Sequence, residues 1–350
     1  MTDRIQLLKE LCLAFGPSGC EGNVAEMILK KAEPFGFAHT LDRMGNLVFH
    51  VPMKNGEKAE RWMLSAHMDE VGFMIRDITE GGFLKFSCVG GIDERVLCGR
   101  NVTVGDEAER IAGVIASKAI HHQTAEERAK TTPVKEMYID IGATSREDAQ
   151  AQVEIGDFGT FDSEFVVFGE DKSFVKSKAL DDRMGCAVLL LLMENIANGK
   201  IVPTKELYIC FTVREEVGLS GAQTVAQRLE PDRAIVLETT AVADIADVKP
   251  NSRVADLGKG GAISLADRST IYSREFIDLA LETAKKNGVP VQVKRYISGG
   301  NDAGHIHKSG KGVKCLALSA PTRYLHSAAC VASLADYESV QRLVEALVKE

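Results

Sequence analysis

The sequence predicts an α/β fold, in which a mostly parallel sheet is flanked by helices and a small β-barrel-like domain is inserted. From about residue 173 onward, apolar runs of strand length alternate with segments of helical periodicity, as in sheets with helical crossovers. Between about residues 71 and 170, short runs rich in glycine and β-branched residues follow one another without a long helix. We therefore expect residues 1–70 and 171–350 to form the α/β domain and residues 71–170 the inserted β-rich domain.

The pattern of apolar residues places the elements along the chain. Helical spacing predicts helices over residues 5–12, 21–33, 186–197, 222–229, 273–286 and 337–348. Apolar and β-branched runs predict strands of the α/β domain over residues 47–51, 62–66, 174–180, 207–213, 234–237 and 315–318. In the inserted domain we expect strands over residues 72–75, 83–86, 100–104, 112–115 and 137–143, with a capped helix starting at Ser145.

Composition excludes several classes of partner. The chain has 350 residues, of which 45% are hydrophobic and 26% charged, which is ordinary for a globular protein. Its net charge of -8 argues against nucleic acid or an anionic membrane as the main partner, because those surfaces require an excess of Lys and Arg. The sequence contains neither a signal peptide nor an apolar run long enough to span a bilayer, so we expect a cytoplasmic protein.

The cysteines are expected to be reduced. There are eight, none in a C-x-x-C pair, and several such as Cys210 and Cys315 lie inside apolar runs. A cysteine in such a run behaves as a small hydrophobic residue, so we interpret them as structural thiols.

Five apolar runs are followed by side chains that can hold a metal ion. In an α/β protein, ligands gather in the crevice beyond the carboxyl ends of the strands, so side chains at these ends are expected to converge. An isolated Glu-Glu pair is usually a solvated turn, but here the pattern recurs five times. The side chains are His67, Asp69 and Glu70 after residues 62–66, Asp181 and Asp182 after 174–180, Glu215 and Glu216 after 207–213, Glu238 after 234–237, and His326 after 315–318.

Two imidazoles and three carboxylates suit zinc, cobalt or manganese, since neutral nitrogen and anionic oxygen match the preference of these ions. If one carboxylate bridges two ions, each ion gains one His and one further carboxylate, and the remaining coordination positions stay open. This division of the ligands between two ions is typical of a two-metal hydrolase.

Four segments in the same order resemble the tetrahedral (TET) aminopeptidase family, which includes glutamyl and deblocking aminopeptidases among the dinuclear metallopeptidases. These segments are residues 66–72 (AHMDEVG), 178–183 (KALDDR), 212–218 (TVREEVG) and 323–327 (RYLHS). The resemblance covers nearly the whole chain and implies a dinuclear-zinc exopeptidase-like fold. It also implies peptide substrates, cleavage at the N-terminal residue, and a homo-oligomer of the tetrahedral dodecamer type.

The resemblance also implies a role for each site residue. Asp181 would bridge two divalent ions, zinc or cobalt with manganese as a further candidate. His67 and Glu238 would complete one site, and Glu216 and His326 the other. Glu215 would be the general base, and Asp69 would accept a hydrogen bond from the second nitrogen of His67, as carboxylates behind metal ligands do.

Two departures from the family pattern and four histidines qualify this transfer. Glu238 stands where many members carry Asp, which keeps the charge but lengthens the side chain. Asn301 stands in a glycine-rich loop where Thr is commoner. We expect the remaining histidines of interest not to ligate metal, because one dinuclear centre is already filled: His121, His122, His305 and His307.

Two other functions are considered. An N-acyl amino acid deacylase or amidase would use the same two ions on a different bond, and release of amino acids from unblocked peptides would distinguish it from an aminopeptidase. A non-catalytic scaffold is disfavoured, because all five expected ligands and the expected base are present.

Overall fold

The computed structural model describes residues 3–53 and 60–350 of the chain. The predicted helices are present with ends within a few residues of those expected, except that the helix predicted over 186–197 extends back to residue 180. The capped helix expected from Ser145 is present, whereas two short helices, over 125–128 and 303–306, were not predicted. In chain order the helices of the described residues are α1 (Arg4–Leu13), α2 (Gly22–Ala32), α3 (Ala125–Arg128), α4 (Arg146–Gln150), α5 (Leu180–Ala197), α6 (Ser220–Leu229), α7 (Arg274–Lys286), α8 (Ala303–Ile306) and α9 (Leu334–Leu347). Ser145 caps α4 as expected, because its side chain accepts from the Asp148 amide.

The strands fall into one large sheet and one barrel. In chain order they are β1 (Ala38–Leu41), β2 (Leu47–Val51), β3 (Arg61–His67), β4 (Gly72–Ile78), β5 (Leu84–Val89), β6 (Asn101–Gly105), β7 (Arg110–Ile115), β8 (Ile139–Asp140), β9 (Phe158–Phe161), β10 (Val166–Phe168), β11 (Phe174–Ser177), β12 (Glu206–Thr212), β13 (Arg233–Ala241), β14 (Gly261–Ile263), β15 (Val291–Val293), β16 (Lys314–Arg323) and β17 (Cys330–Ser333). The predicted strand at 137–143 is shorter than expected, since only two of its residues pair.

The large sheet has eleven strands and confirms the α/β prediction. Its order is β1-β2-β12-β3-β13-β16-β17-β11-β10, with β14 also paired to β16 and β15 paired to β14. The central strands β12, β3, β13 and β16 are parallel, whereas β1, β2, β17, β11 and β10 are antiparallel to their neighbours. The sheet is therefore mixed, with a parallel centre and antiparallel edges.

Helix α5 lies at the heart of the α/β part. Fifteen of its residues, from Leu180 to Glu194, are buried, and it packs against β3, β13 and α1. A helix that is apolar on all sides is stable only when it is enclosed, so its position follows from its sequence. Asp181 and Asp182 lie at the N-terminal end of α5 with backbone angles that are not helical, and Asp181 faces His67 at the end of β3.

The inserted segment forms a closed barrel, as predicted. The strand order is β4-β5-β8-β7-β6-β9, and the interior is filled mostly by aliphatic side chains together with three phenylalanines. The rings of Phe86 and Phe161 meet the ring of Phe73 edge-on, with centroids 5.2 and 5.3 Å apart. All barrel strands lie between Gly72 and Phe161; the domain limits at residues 70 and 170 stay a prediction. In the described part of the chain, no helix has the length and apolar character to cross a bilayer.

Candidate metal centre

The parallel strands deliver polar side chains to one edge of the sheet. His67 ends β3 and is paired in register with Thr212, which ends β12. The loop after β12 carries Glu215 and Glu216, and β13 carries Glu238 on the other side of β3. The non-helical N-terminal end of α5 brings Asp181 to the same edge. The carboxyl ends of parallel strands are where an α/β fold places its ligands, and these side chains meet there.

Asp181 lies between the two histidines. Its Oδ1 is 3.4 Å from Nε2 of His67, and its Oδ2 is 3.3 Å from Nε2 of His326. Glu238 Oε2 is 3.9 Å from Nε2 of His67, and Glu216 Oε1 is 3.2 Å from Nε2 of His326. The result is two three-residue groups that share Asp181, and within each group the potential ligand atoms lie within 4.8 Å of one another.

Glu215 lies beside these groups without belonging to the two that share Asp181. Its carboxylate forms a further group with His67 and Glu216, again within 4.8 Å. Of the nine acidic and imidazole side chains that the sequence placed at the strand ends, six lie together in these groups, whereas Asp69, Glu70 and Asp182 do not belong to them. Glu238 reaches the centre despite being longer than the Asp expected from the family pattern.

Several buried polar atoms of the centre lack a hydrogen-bond partner within the described residues. They are Nε2 of His67, Oδ1 of Asp181, Oε1 of Glu216 and Oε1 of Glu238. Leaving a buried charged group unpaired is costly, so such atoms call for a partner that the protein itself does not supply. Imidazole nitrogens and carboxylate oxygens are the ligands that a borderline divalent cation prefers, so the residues present fit such an ion.

The electrostatics also indicate a demand for positive charge. Burial raises the pKa of Glu238 and of Glu215 well above the ordinary value, and neighbouring carboxylates add to the effect. Burial opposes protonation of His326, but the nearby carboxylates of Asp181 and Glu216 prevail and raise its pKa to about 11. In the protein alone, protons therefore balance the carboxylates at the place where cations would.

Both imidazoles are held from behind. Nδ1 of His67 faces the main-chain oxygen of Asp69 at 3.1 Å, with the Asp69 carboxylate at 3.4 Å. The predicted contact with the carboxylate is thus shared with the main chain. Nδ1 of His326 faces the carbonyl of Gly91 at 2.7 Å, in the segment between β5 and β6. Because an acceptor lies behind Nδ1, each ring directs Nε2 into the centre, which is the orientation that a histidine needs in order to bind a metal ion through Nε2.

The carboxylate of Asp69 also binds the loop after β12. Its buried carboxylate accepts hydrogen bonds from the amides of Glu215 and Glu216 at 3.0 and 3.1 Å, and from the hydroxyl of Ser18 at 2.6 Å. A single carboxylate therefore positions both His67 and the loop after β12. Asp69 therefore links the side of the centre that contains His67 to the side that contains Glu216.

A buried ionic network that the sequence analysis did not identify supports the turn at Asp181. Glu70 accepts from Nζ of Lys178 at 2.6 and 2.8 Å and from the hydroxyl of Thr160 at 2.7 Å, and Nη2 of Arg183 lies 3.4 Å away. Arg183 also donates to the carbonyl of Met68 at 2.8 Å. Lys178 and Arg183 flank Asp181 in sequence, so Glu70 fixes the chain on both sides of it. In the sequence, this network is indicated by two basic residues, Lys178 and Arg183, next to an apolar run.

The other histidines lie apart from the metal-compatible groups of the described residues. His121 and His122 are exposed, after the last residue of β7. Nδ1 of His305 faces Gln223 at 2.9 Å, and Nδ1 of His307 faces the carbonyl of Ala303 at 2.7 Å.

Replacing Lys178 by methionine is expected to destabilise the protein by about 3–5 kcal/mol, because Glu70 would keep its buried charge without its closest cation. Urea unfolding followed by circular dichroism measures the change. The matched control is Lys176→Met, two residues earlier on β11 and only half-buried, which should change the free energy of unfolding by less than about 1 kcal/mol. Equal losses for the two variants would contradict the role given to the network.

Comparison with known proteins identifies relatives of the whole chain. The model of the M42 glutamyl aminopeptidase family matches residues 45–343. The chain is 36% identical over 342 residues to the putative aminopeptidase FrvX of Escherichia coli K12, covering 97% of this chain and 93% of that protein. It superposes with a TM-score of 0.94 on a TET aminopeptidase from a marine sediment archaeon (Thaumarchaeota), at 36% identity, covering 99% of this chain and 96% of that one. The TET1 peptidase of Pyrococcus horikoshii, which assembles into a tetrahedron or a large octahedral shell, gives a TM-score of 0.88 at 35% identity, covering 99% of this chain and 100% of that one.

Proposed function

Since the chain belongs to the M42 family of glutamyl aminopeptidases and is a metal-dependent aminopeptidase, we propose that its centre holds two divalent ions that share Asp181. His67 and Glu238 complete one ion's ligands, and Glu216 and His326 complete the other's. The observation that carries this proposal is that the two oxygens of Asp181 face different imidazole nitrogens, at 3.4 and 3.3 Å. The donor set suits zinc or cobalt, with manganese as a further candidate.

The chain's own groups divide the chemical work. When bound, such ions lower the pKa of water and polarise the scissile carbonyl. Glu215 is not needed to complete either group around Asp181, so its carboxylate is available to take the proton of the attacking water and deliver it to the leaving amine. Asp69 holds the Glu215 amide and therefore keeps the base in place beside the centre. Asp69 acts on catalysis by positioning.

The substrates we propose are short peptides with a free N-terminus. A free α-amine would ligate one of the ions or pair with a carboxylate of the centre such as Glu215, and this contact would fix the start of an unblocked peptide beside the centre. An N-acyl group removes the free amine, so the deacylase or amidase alternative is not favoured. A non-catalytic scaffold is not favoured either, because the ligands and the base converge.

We also propose a homo-oligomeric, cytoplasmic protein. The likeness to the Pyrococcus TET1 peptidase extends over 99% of this chain and supports a tetrahedral dodecamer, for which a mass near twelve times 38.0 kDa is expected in solution. A smaller mass would contradict it. All eight cysteines are free thiols, which suits a reducing compartment.

Glu215→Gln is expected to lower kcat about 10²–10⁴-fold, because the amide keeps the size of the side chain but cannot accept a proton. The bound metal should stay at two ions per subunit. A panel of aminoacyl p-nitroanilides measures kcat and KM, and atomic absorption measures the metal. Glu282→Gln on the exposed side of α7 is the control and should be indistinguishable from the unmodified protein. A Glu215→Gln variant with full kcat would remove Glu215 from the mechanism.

Removal of metal by dialysis against a chelator is expected to abolish peptide hydrolysis and lower the melting temperature, since ion binding stabilises only the folded chain. Returning zinc or cobalt should restore both properties. Activity that persists once atomic absorption detects no bound metal would refute the metal-dependent mechanism.

A further inference from the structure

Three successive main-chain amides in the loop after β12 are each bound by a buried carboxylate. The amides of Glu215 and Glu216 donate to Asp69. The amide of Arg214 donates to Oε1 of Glu21 at 3.1 Å. Arg214 has a left-handed backbone with a φ of 57°, which is uncommon for a residue with a side chain and needs support from its surroundings. Glu21 supplies that support from a segment that lies almost two hundred residues earlier in the chain.

Glu21 is buried with main-chain partners. Its side chain is 7% exposed, and the same oxygen that binds the Arg214 amide accepts from the Gly19 amide at 2.8 Å. No ion pair to a Lys or Arg is found for Glu21 in residues 3–53 and 60–350. Burial, and secondarily the nearby charge of Asp69, raises the pKa of Glu21 to about 7. Burying a carboxyl group without a paired cation costs free energy of folding. An ion pair therefore does not explain why Glu21 contacts the loop after β12.

The segment that carries Glu21 is itself anchored to the centre. The Ser18 amide donates to the carbonyl of Glu70 at 3.2 Å, and the Glu70 amide donates to the carbonyl of Gly16 at 3.0 Å. The Ser18 hydroxyl binds Asp69. Helix α2 begins immediately after Glu21, and its first amide, from Gly22, is bound by Glu107 of the barrel at 2.8 Å. Glu21 is thus fixed on both sides, and its oxygen has little freedom to leave the Arg214 amide.

We propose that Glu21 is a positioning residue for Glu215: it holds the Arg214 amide, and with Asp69 it fixes the backbone from which the proposed base projects. This inference rests on the proposed role of Glu215. What Glu21 contributes is the reach of a hydrogen-bond acceptor, whereas its negative charge is dispensable. Misplacing a catalytic group by about 1 Å can cost about 10²-fold in rate, so the hold is expected to act on kcat.

The length and the charge of Glu21 can be changed separately. Glu21→Gln keeps the length and the acceptor oxygen but removes the charge, and it should retain kcat within about threefold. Glu21→Asp keeps the charge but shortens the side chain by one methylene, and it should lose about 10–100-fold in kcat. KM and the metal content should be unchanged in both variants. The same pair of substitutions at Glu26, exposed on α2, is the control and should have no effect.

Hydrogen exchange measures the contact between Glu21 and the Arg214 amide independently of catalysis. The Arg214 amide should exchange slowly in the unmodified protein and in Glu21→Gln, and at least about tenfold faster in Glu21→Asp. If Glu21→Asp keeps its kcat and its Arg214 protection, the inference is wrong. If Glu21→Gln loses as much kcat as Glu21→Asp, or if both variants lose metal, the inference is also wrong, and Glu21 acts through its charge or by supporting the fold. If Glu215→Gln is fully active while the exchange pattern holds, the proposed base fails and the contact between Glu21 and Arg214 stands.

Discussion

A buried cluster of carboxylates whose negative charge must be neutralised is the main constraint on this structure. Asp181, Glu216 and Glu238 lie with two imidazoles at the sheet edge, and four of their polar atoms have no hydrogen-bond partner among the described residues. A protein does not keep such a cluster for stability, because unpaired buried charge costs free energy. In the function proposed here, divalent cations would supply the positive charge that the protein's own groups do not give this cluster.

The rest of the fold supplies rigidity to this cluster. Four parallel strands bring the candidate ligands to one edge, and the non-helical segment at the N-terminal end of the buried helix α5 presents Asp181. Behind the ligands lies a layer of acceptors: Asp69 faces His67, the carbonyl of Gly91 faces His326, and Glu70 binds the chain on both sides of Asp181. The barrel takes part in this layer through Gly91 and Thr160. It is therefore part of the support of the centre.

The sequence was sufficient for the family, the α/β fold, the barrel and the side chains that meet at the centre. These features follow from local signals, since a ligand that directly follows an apolar run can be recognised without knowing the partner strands. Strand direction leaves no such signal, so the antiparallel edges formed by β1, β2, β10, β11 and β17 were not anticipated. The apolar run of α5 predicted a buried helix, but the irregular turn over residues 180–182 at its N-terminal end was missed, because residue 180 was assigned to the strand predicted over 174–180.

The supporting contacts were missed for a similar reason. Glu21 stands at the start of a predicted helix, where an acidic residue is ordinary, and nothing local connects it to Arg214. The carbonyl of Gly91 has no side-chain signal at all. Contacts between main-chain groups and residues distant in sequence become visible only in three dimensions. The ligands were predictable and their supports were not.

The most direct test of the central claim is a crystal structure of the zinc-loaded protein with anomalous diffraction measured on both sides of the zinc absorption edge. We expect two anomalous peaks, one beside each oxygen of Asp181, with His67 and Glu238 on one and Glu216 and His326 on the other. A single peak, or two peaks that Asp181 does not touch, would contradict the shared centre on which the mechanism rests.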